Sequence, residues 1–280
     1  MAKRLAAPAV VVVLLTVLVA FPSTRASAQA FLDLFRVVHI AAVPVNLERL
    51  SQLSQRGLDI PTLIGSQVEV LAEPGLPLAY PSPADPARAA AMDLRLPTAV
   101  PPGFVLARTE VKGEHAARVK ADAAKLQDVL DALDIADVVL PAGLDGQIAT
   151  IRVPPIVRAV YANGNQEVSL FQARSPELTV PAGVDIASLA EIGLRIAGLG
   201  ASEAHTLAQA VDWRSTMLVP IPAKAATFRQ VDLHGTRALF VESTTQRGPK
   251  AVMWSSGGVM YAMTGTINSG PLLEMAESVE

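Results

Sequence analysis

The sequence predicts an α+β protein: a curved antiparallel β-sheet with packed helices, following an N-terminal export signal or single-span anchor. Three observations carry that prediction. Hydrophobic residues make up 51% of the chain but aromatic ones only 4%, so Val, Leu, Ile and Ala must form the core, and 21 Pro against 18 Gly imply many rigid turns between short elements. The last third alternates short apolar runs with Gly-bearing reversals. Segments after Asp122 and after Asn268 carry helical apolar stripes.

Residues 5–21 are an almost unbroken apolar run behind Lys3 and Arg4, with no acidic residue before Asp33. That is the layout of an export signal, and Ala26-Ser27-Ala28 gives the small-residue pattern for cleavage after Ala28, with Ala28-Gln29-Ala30 as a second frame. As a helix the run spans roughly 25 Å, near the lower limit for crossing a hydrocarbon core of about 30 Å, so a retained anchor is the alternative. Either way the basic head stays inside and the remainder is expected outside the cytoplasm. Membrane association through residues 5–21 follows if they are kept. A lipid-anchored form would need a Cys after the run, and the chain has none.

Removing residues 1–28 takes three of the 23 basic residues and none of the 26 acidic ones, moving the net charge from −3 to −6. That balance argues against a nucleic-acid partner, whose phosphates require basic patches. Without Cys, an exported chain must hold together by its core alone.

Past the amphipathic lead-in at 30–36, residues 37–43 read as a strand ended by Pro44. A short helix follows Asn46 and closes at Gly57, and residues 67–71 form the next strand. Residues 73–86 hold five Pro and read as a surface loop running into a weak helix at 84–92. Pro102-Gly103 suits the central pair of a type II turn. A hairpin is expected from 105–112 and 114–121, turning near Gly113. Asp122 then caps a helix whose face carries Leu126, Val129, Leu130 and Leu133.

Residues 138–140 resume extended structure, and 147–154, 156–162 and 166–174 read as successive strands, with Asn163-Gly164 as the hairpin turn. Leu140-Pro141-Ala142-Gly143-Leu144-Asp145 is echoed at Val180-Pro181-Ala182-Gly183-Val184-Asp185, as independent Pro-Gly turns or as traces of duplication. Helices are expected at 186–197 and, capped by Ser202, at 203–211. Strands follow at 216–219, 228–233, 237–243, 250–254 and 259–264, and a last helix after Asn268 packs Leu272, Met275, Ala276 and Val279 inward. The chain divides into residues 1–28, an N-terminal α+β lobe over 29–162 and a C-terminal sheet-plus-helix lobe over 163–280.

The segment from Leu96-Pro97 to Pro102-Gly103-Phe104, with Trp254-x5-Met260-Tyr261-x3-Gly265 and Leu272-Leu273-x2-Ala276-Glu277-Ser278, resembles a domain of unknown function found in bacterial envelope proteins. It is similar to the lipoprotein-carrier-like modules that accompany anti-sigma factors. The resemblance is loose over about the last 190 residues and better over about the last 65; it implies a curved antiparallel sheet wrapping a helix. Its motifs are turns and packing positions, so it implies no ligand-binding residue.

No constellation of residues carries a recognisable chemistry. His39, His115, His205 and His234 stand singly, without the spacings of zinc sites. Gly198-Leu199-Gly200 lacks the third Gly and the Lys of a phosphate loop, and no Gly-x-Ser-x-Gly elbow occurs. No catalytic residue, cofactor or metal is therefore assigned. One feature stands out: around 250–264 both parities of the strands are apolar, with Trp254 and Tyr261 among one set and Met253, Met260 and Ala262 in the other. The last helix can cover one face; the other is either ordinary core or a groove for an acyl chain. The expected function is a non-enzymatic extracytoplasmic binding or sensing module of an envelope regulatory system, partnered by a membrane protein or a lipid. A periplasmic lipid or lipoprotein carrier and a structural envelope protein are the alternatives.

Overall fold

The computed structural model describes residues 37–46, 68–181 and 184–279. The apolar run at 5–21, the lead-in at 30–36 and the helix expected after Asn46 lie outside the described residues. In chain order come β1 (His39–Val45), β2 (Val68–Ala72), β3 (Leu78–Tyr80), α1 (Ala84–Ala89), β4 (Val105–Lys112), β5 (His115–Lys120) and α2 (Ala123–Ala132). Then follow β6 (Ile148–Val153), β7 (Ile156–Asn163), β8 (Gln166–Arg174), β9 (Glu177–Thr179), α3 (Ile186–Ile196), α4 (Ala201–Ala210) and β10 (Thr216–Pro222). The chain closes with β11 (Ala226–Leu233), β12 (Thr236–Ser243), β13 (Lys250–Ser256), β14 (Val259–Gly265) and α5 (Ser269–Glu277). The fold is thus mixed α+β with mostly antiparallel sheets, and no barrel closes among the described strands.

The large sheet has eight strands in the order β11-β12-β13-β14-β8-β7-β4-β3, and a smaller one runs β2-β5-β6-β9. Their registers reveal four segments that run through both sheets in the same relative order. At the change of sheet lie Pro74 to Pro77 between β2 and β3, Gly113-Glu114 between β4 and β5, Pro154-Pro155 between β6 and β7, and Ser175-Pro176 between β8 and β9. Proline has no N–H for a ladder, so pairing must break along this line. Gly113 is needed there by space: a Cβ would sit 2.8 Å from the Pro74 carbonyl oxygen, to which the Gly113 N–H donates at 3.1 Å.

This arrangement corrects the hairpin expected around Gly113. β4 and β5 occupy their expected positions but pair with β7 and β6, respectively, in different sheets. A local alternation identifies a strand without identifying its partner. Pro44 does not end β1: it lies within it, opposite Ile221 in a two-stranded parallel pair with β10. As an edge strand, β1 can point the missing donor away from its neighbour.

Other boundaries shift for local reasons. The Pro-rich loop contains the short strand β3, and its helix is only α1. Residues 138–140 form no strand; Val139 is exposed, so nothing rewards an extended pairing. Gly200, not Ser202, is the N-cap of α4. In the β7–β8 turn Asn163 pairs with Gln166, making Gly164-Asn165 the central pair; Gly164 has φ +55° and stands first, as in a type II′ turn. This turn also holds the boundary expected at 162/163, and strands from both sides of it share the large sheet.

The local signals that were strongest appear as read. Phe104 N–H donates to the Pro101 carbonyl at 3.1 Å across Pro102-Gly103, with Gly103 at φ +84°. Asp122 accepts the Lys125 N–H at 3.0 Å to cap α2, and Val129 and Leu130 are buried. The two echoed turns close alike, Leu144 N–H to Pro141 O and Val184 N–H to Pro181 O, and both end in a capping Asp. Asp145 accepts from Ala123 at the start of α2, and Asp185 from Ala187 and Ser188 at the start of α3.

Helices α2 and α3 share a core of Val129, Leu130, Leu133, Ile135, Leu189, Ile192 and Ile196. The opposite side of α3 packs with α4 and with Val43 and Val45 of β1. Arg195 of α3 is held by a two-pronged pair with Asp137, both bonds at 2.6 Å. The helix α5 lies on one face of the large sheet, where Leu272 and Met275 join Val252, Met263 and Leu170, all fully buried.

Candidate functional site

The alternation of β13 and β14 separates the five apolar residues singled out in the sequence. Trp254 pairs with Tyr261, and both point toward α5, where their rings stack at 5.0 Å and 9°. Met253 pairs with Ala262, and Ser255 with Met260, on the opposite face. The five residues therefore do not line one groove. Those under α5 are buried; the other three are half-buried.

The α5 face is filled. Across the strands Phe240, Val252, Met263, Leu170 and Ala159 stand in register and are buried, with Leu272 and Met275 above them. Toward β3 the same face is covered by Ala90 and Met92, packed on Val111 and Val157. Between these covers, the Gln172 side chain, fully buried, accepts the Arg95 N–H at 2.9 Å and donates to the Arg95 carbonyl at 2.8 Å. Gln172 thus acts as a strand partner for the segment that carries Leu96, Val100 and Phe104 onto the core. Burial pushes the Tyr161 phenol up to about 12 and raises that of Tyr261, whose buried hydroxyl has no partner atom in the described structure.

On the opposite face Ser255 donates to the Val37 carbonyl at 2.7 Å, which puts the start of β1 on that side of β13. Beyond Met253 and Ala262 the same row continues to Phe171 and Arg158, whose guanidinium lies 5.5 Å over the Phe171 ring. Arg158 also donates twice to Ser169 and joins Glu110, Arg108 and Glu167 in a ring of four alternating charges. The Arg108 guanidinium, with desolvation opposing and Arg158 assisting, holds the Glu110 carboxyl below its usual range. This ring ties β4, β7 and β8 side by side and leaves each carboxylate already matched by a cation.

An open depression of 430 Å³ lies where α5 begins, lined by Pro101, Phe104, Gln166, Arg247, Thr266, Ile267, Asn268 and Pro271. No sequence signal marked it, since its residues come from four separate stretches. Among the described residues no group of three or more His, Asp or Glu is placed to hold a metal ion. His205 meets Glu191 at 2.8 Å and His234 meets Glu277 at 3.3 Å, both on the surface. No helix among the described residues is long and apolar enough to cross a membrane.

Comparison with protein-family models, with curated proteins and with solved structures found no match.

Proposed function

We propose that this chain is a non-enzymatic extracytoplasmic module that binds or senses a partner at the envelope, as part of a membrane-associated regulatory system. The observation that carries this reading is how both faces of the large sheet are occupied: Leu170, Val252, Met263, Leu272 and Met275 fill the α5 side at 0% exposure, and on the other side Ser255 is bonded to the start of β1 and Arg158 lies over Phe171. Between these, Met253, Met260 and Ala262 stay half-buried, and this reading assigns them, among the described residues, to contact with a partner. The apolar run at 5–21 supports export, and its length suits either a cleaved signal or a tether.

The test is to express the full chain in a bacterial host, separate membrane from soluble envelope fractions, and determine the N-terminus and the native mass without detergent for any soluble form. A membrane-retained chain with residues 5–21 intact, or a cleaved chain free of lipid, agrees with the proposal. A soluble cleaved protein carrying a stoichiometric acyl lipid would overturn it in favour of a carrier.

A further inference from the structure

We infer that the depression at the head of α5 binds the carboxylate end of a short peptide whose last side chain is apolar. It lies at one end of the large sheet, where four stretches meet: the turn at 101–104, the start of β8, the loop between β12 and β13, and the link from β14 into α5. Each stretch has described residues on both sides of it, so no undescribed segment runs directly into the depression. At 430 Å³ the space is that of a small-molecule site, and its open mouth lets the rest of a peptide leave.

Charge decides the sign of the ligand. Arg247 is the one charged side chain in the lining. It is exposed and makes no ion pair or hydrogen bond among the described residues, whereas Lys250, three positions on, meets Glu242 at 3.4 Å. A guanidinium fork matches a carboxylate through two parallel hydrogen bonds. A single cation suits a monoanion; a phosphate carrying nearly two charges would leave one of them unmatched.

The rest of the lining separates a peptide end from a simple anion. The side chains of Gln166, Thr266 and Asn268 also have no partner among the described residues, and Asn268, although it is the N-cap of α5, makes no capping bond. Two amides and a hydroxyl supply donors and acceptors together, as a peptide group requires. Phe104 and Ile267 bring apolar surface that the core already fixes, and the Phe104 N–H donates to the Pro101 carbonyl at 3.1 Å. The Arg247 loop is fixed too: Gly248 N–H donates to the Thr245 carbonyl at 2.9 Å and Ser243 N–H to the Pro249 carbonyl at 3.1 Å. Walls set before the ligand arrives lose little freedom on binding. This place is separate from the half-buried face with Met253, Met260 and Ala262, and the inference does not depend on the proposed function.

The probes are N-acetyl-Ala-Leu with a free carboxylate, its C-terminal amide, 4-methylpentanoate and inorganic phosphate, each titrated into the full-length chain in mild detergent. Calorimetry should give the free-acid peptide an affinity about tenfold or more above that of the other three, and amide NMR shifts should cluster at Gln166, Arg247 and Thr266. Arg247→Gln should weaken the peptide about 10- to 100-fold, the worth of a hydrogen-bonded charge, with unchanged circular dichroism. Arg237→Gln removes the same charge from an exposed position at the other end of β12 and should leave binding as it was. The inference fails if the peptide produces no shift up to about 10 mM. It also fails if the amide, 4-methylpentanoate or phosphate binds as tightly, if Arg247→Gln binds normally, or if the shifts fall on Met260 and Phe171 instead.

Discussion

Replacing Gln172 with Leu removes two hydrogen bonds at once while keeping an apolar side chain of similar length. The Arg95 N–H and C=O, now bonded at 2.9 and 2.8 Å to the buried amide, would lose both partners. A buried group left unsatisfied costs about 1–3 kcal/mol, and the exposed setting of Arg95 lets water recover part of that. The expected loss is therefore about 2–4 kcal/mol, or a fall in Tm of roughly 4–16 °C for a domain of this size. Urea unfolding of Gln172→Leu measures the loss, and amide hydrogen exchange locates it. Exchange should quicken around Leu96, Val100 and Phe104, which this side chain holds against the sheet. A stability change below about 1 kcal/mol with unaltered exchange over that segment would refute the role assigned to Gln172.

Four further outcomes follow from named contacts. Leu272→Ala, at a position with 0% exposure, should cost about 2–5 kcal/mol in urea unfolding; a near-neutral result would mean the space under α5 is not closely packed. Asp122→Ala should cost about 1 kcal/mol by removing the cap on α2, while Asp122→Asn should cost less, which thermal unfolding of both variants can compare. In alkali, Tyr161 should remain largely un-ionised until about pH 12; because its folded pKa is raised, its contribution is full below the unfolded value and lost as pH rises toward the folded one, and phenolate absorbance reaching the full value for three tyrosines well below pH 12 while the protein is still folded would contradict this. In acid the sign reverses. Glu110, held down chiefly by Arg108, and Asp185, held down chiefly by the Ser188 hydroxyl, stabilise only when ionised, so the urea midpoint should hold at neutral pH and fall from about pH 4 downward; a midpoint constant to pH ~3 would be the contrary result.

Much of this fold is written locally. Asp122 ahead of an apolar stripe, Pro102-Gly103 between two extended runs, and the helix after Asn268 each depend on neighbours within a few residues, and each forms where the pattern places it. Period-two alternation likewise separates Trp254 and Tyr261 from Met253, Met260 and Ala262, and the final helix does cover one of those faces. What the sequence could not convey is partnership at a distance. β4 reads as one arm of a hairpin with β5, yet it bonds to β7, because strand pattern carries no address for its partner. Gln172 and Arg95 are 77 positions apart. The one local sign of that contact was a polar side chain at the parity of the inward-facing Val168 and Leu170. The depression beside α5 is assembled from residues that nothing in the linear order connects.

The row of Pro and Gly at the change of sheet also bears on how the molecule comes apart. Pro154, Pro155 and Pro176 carry no amide hydrogen, so these positions donate no rung there, and the backbone bonding between the two sheets thins to contacts such as that from the Gly113 N–H to the Pro74 carbonyl. Protection against exchange should divide at this line, with Val119 and Thr150 belonging to one cooperative unit and Leu170 and Val252 to another. On that division the smaller sheet opens as a unit of its own while the packed body beneath α5 stays closed.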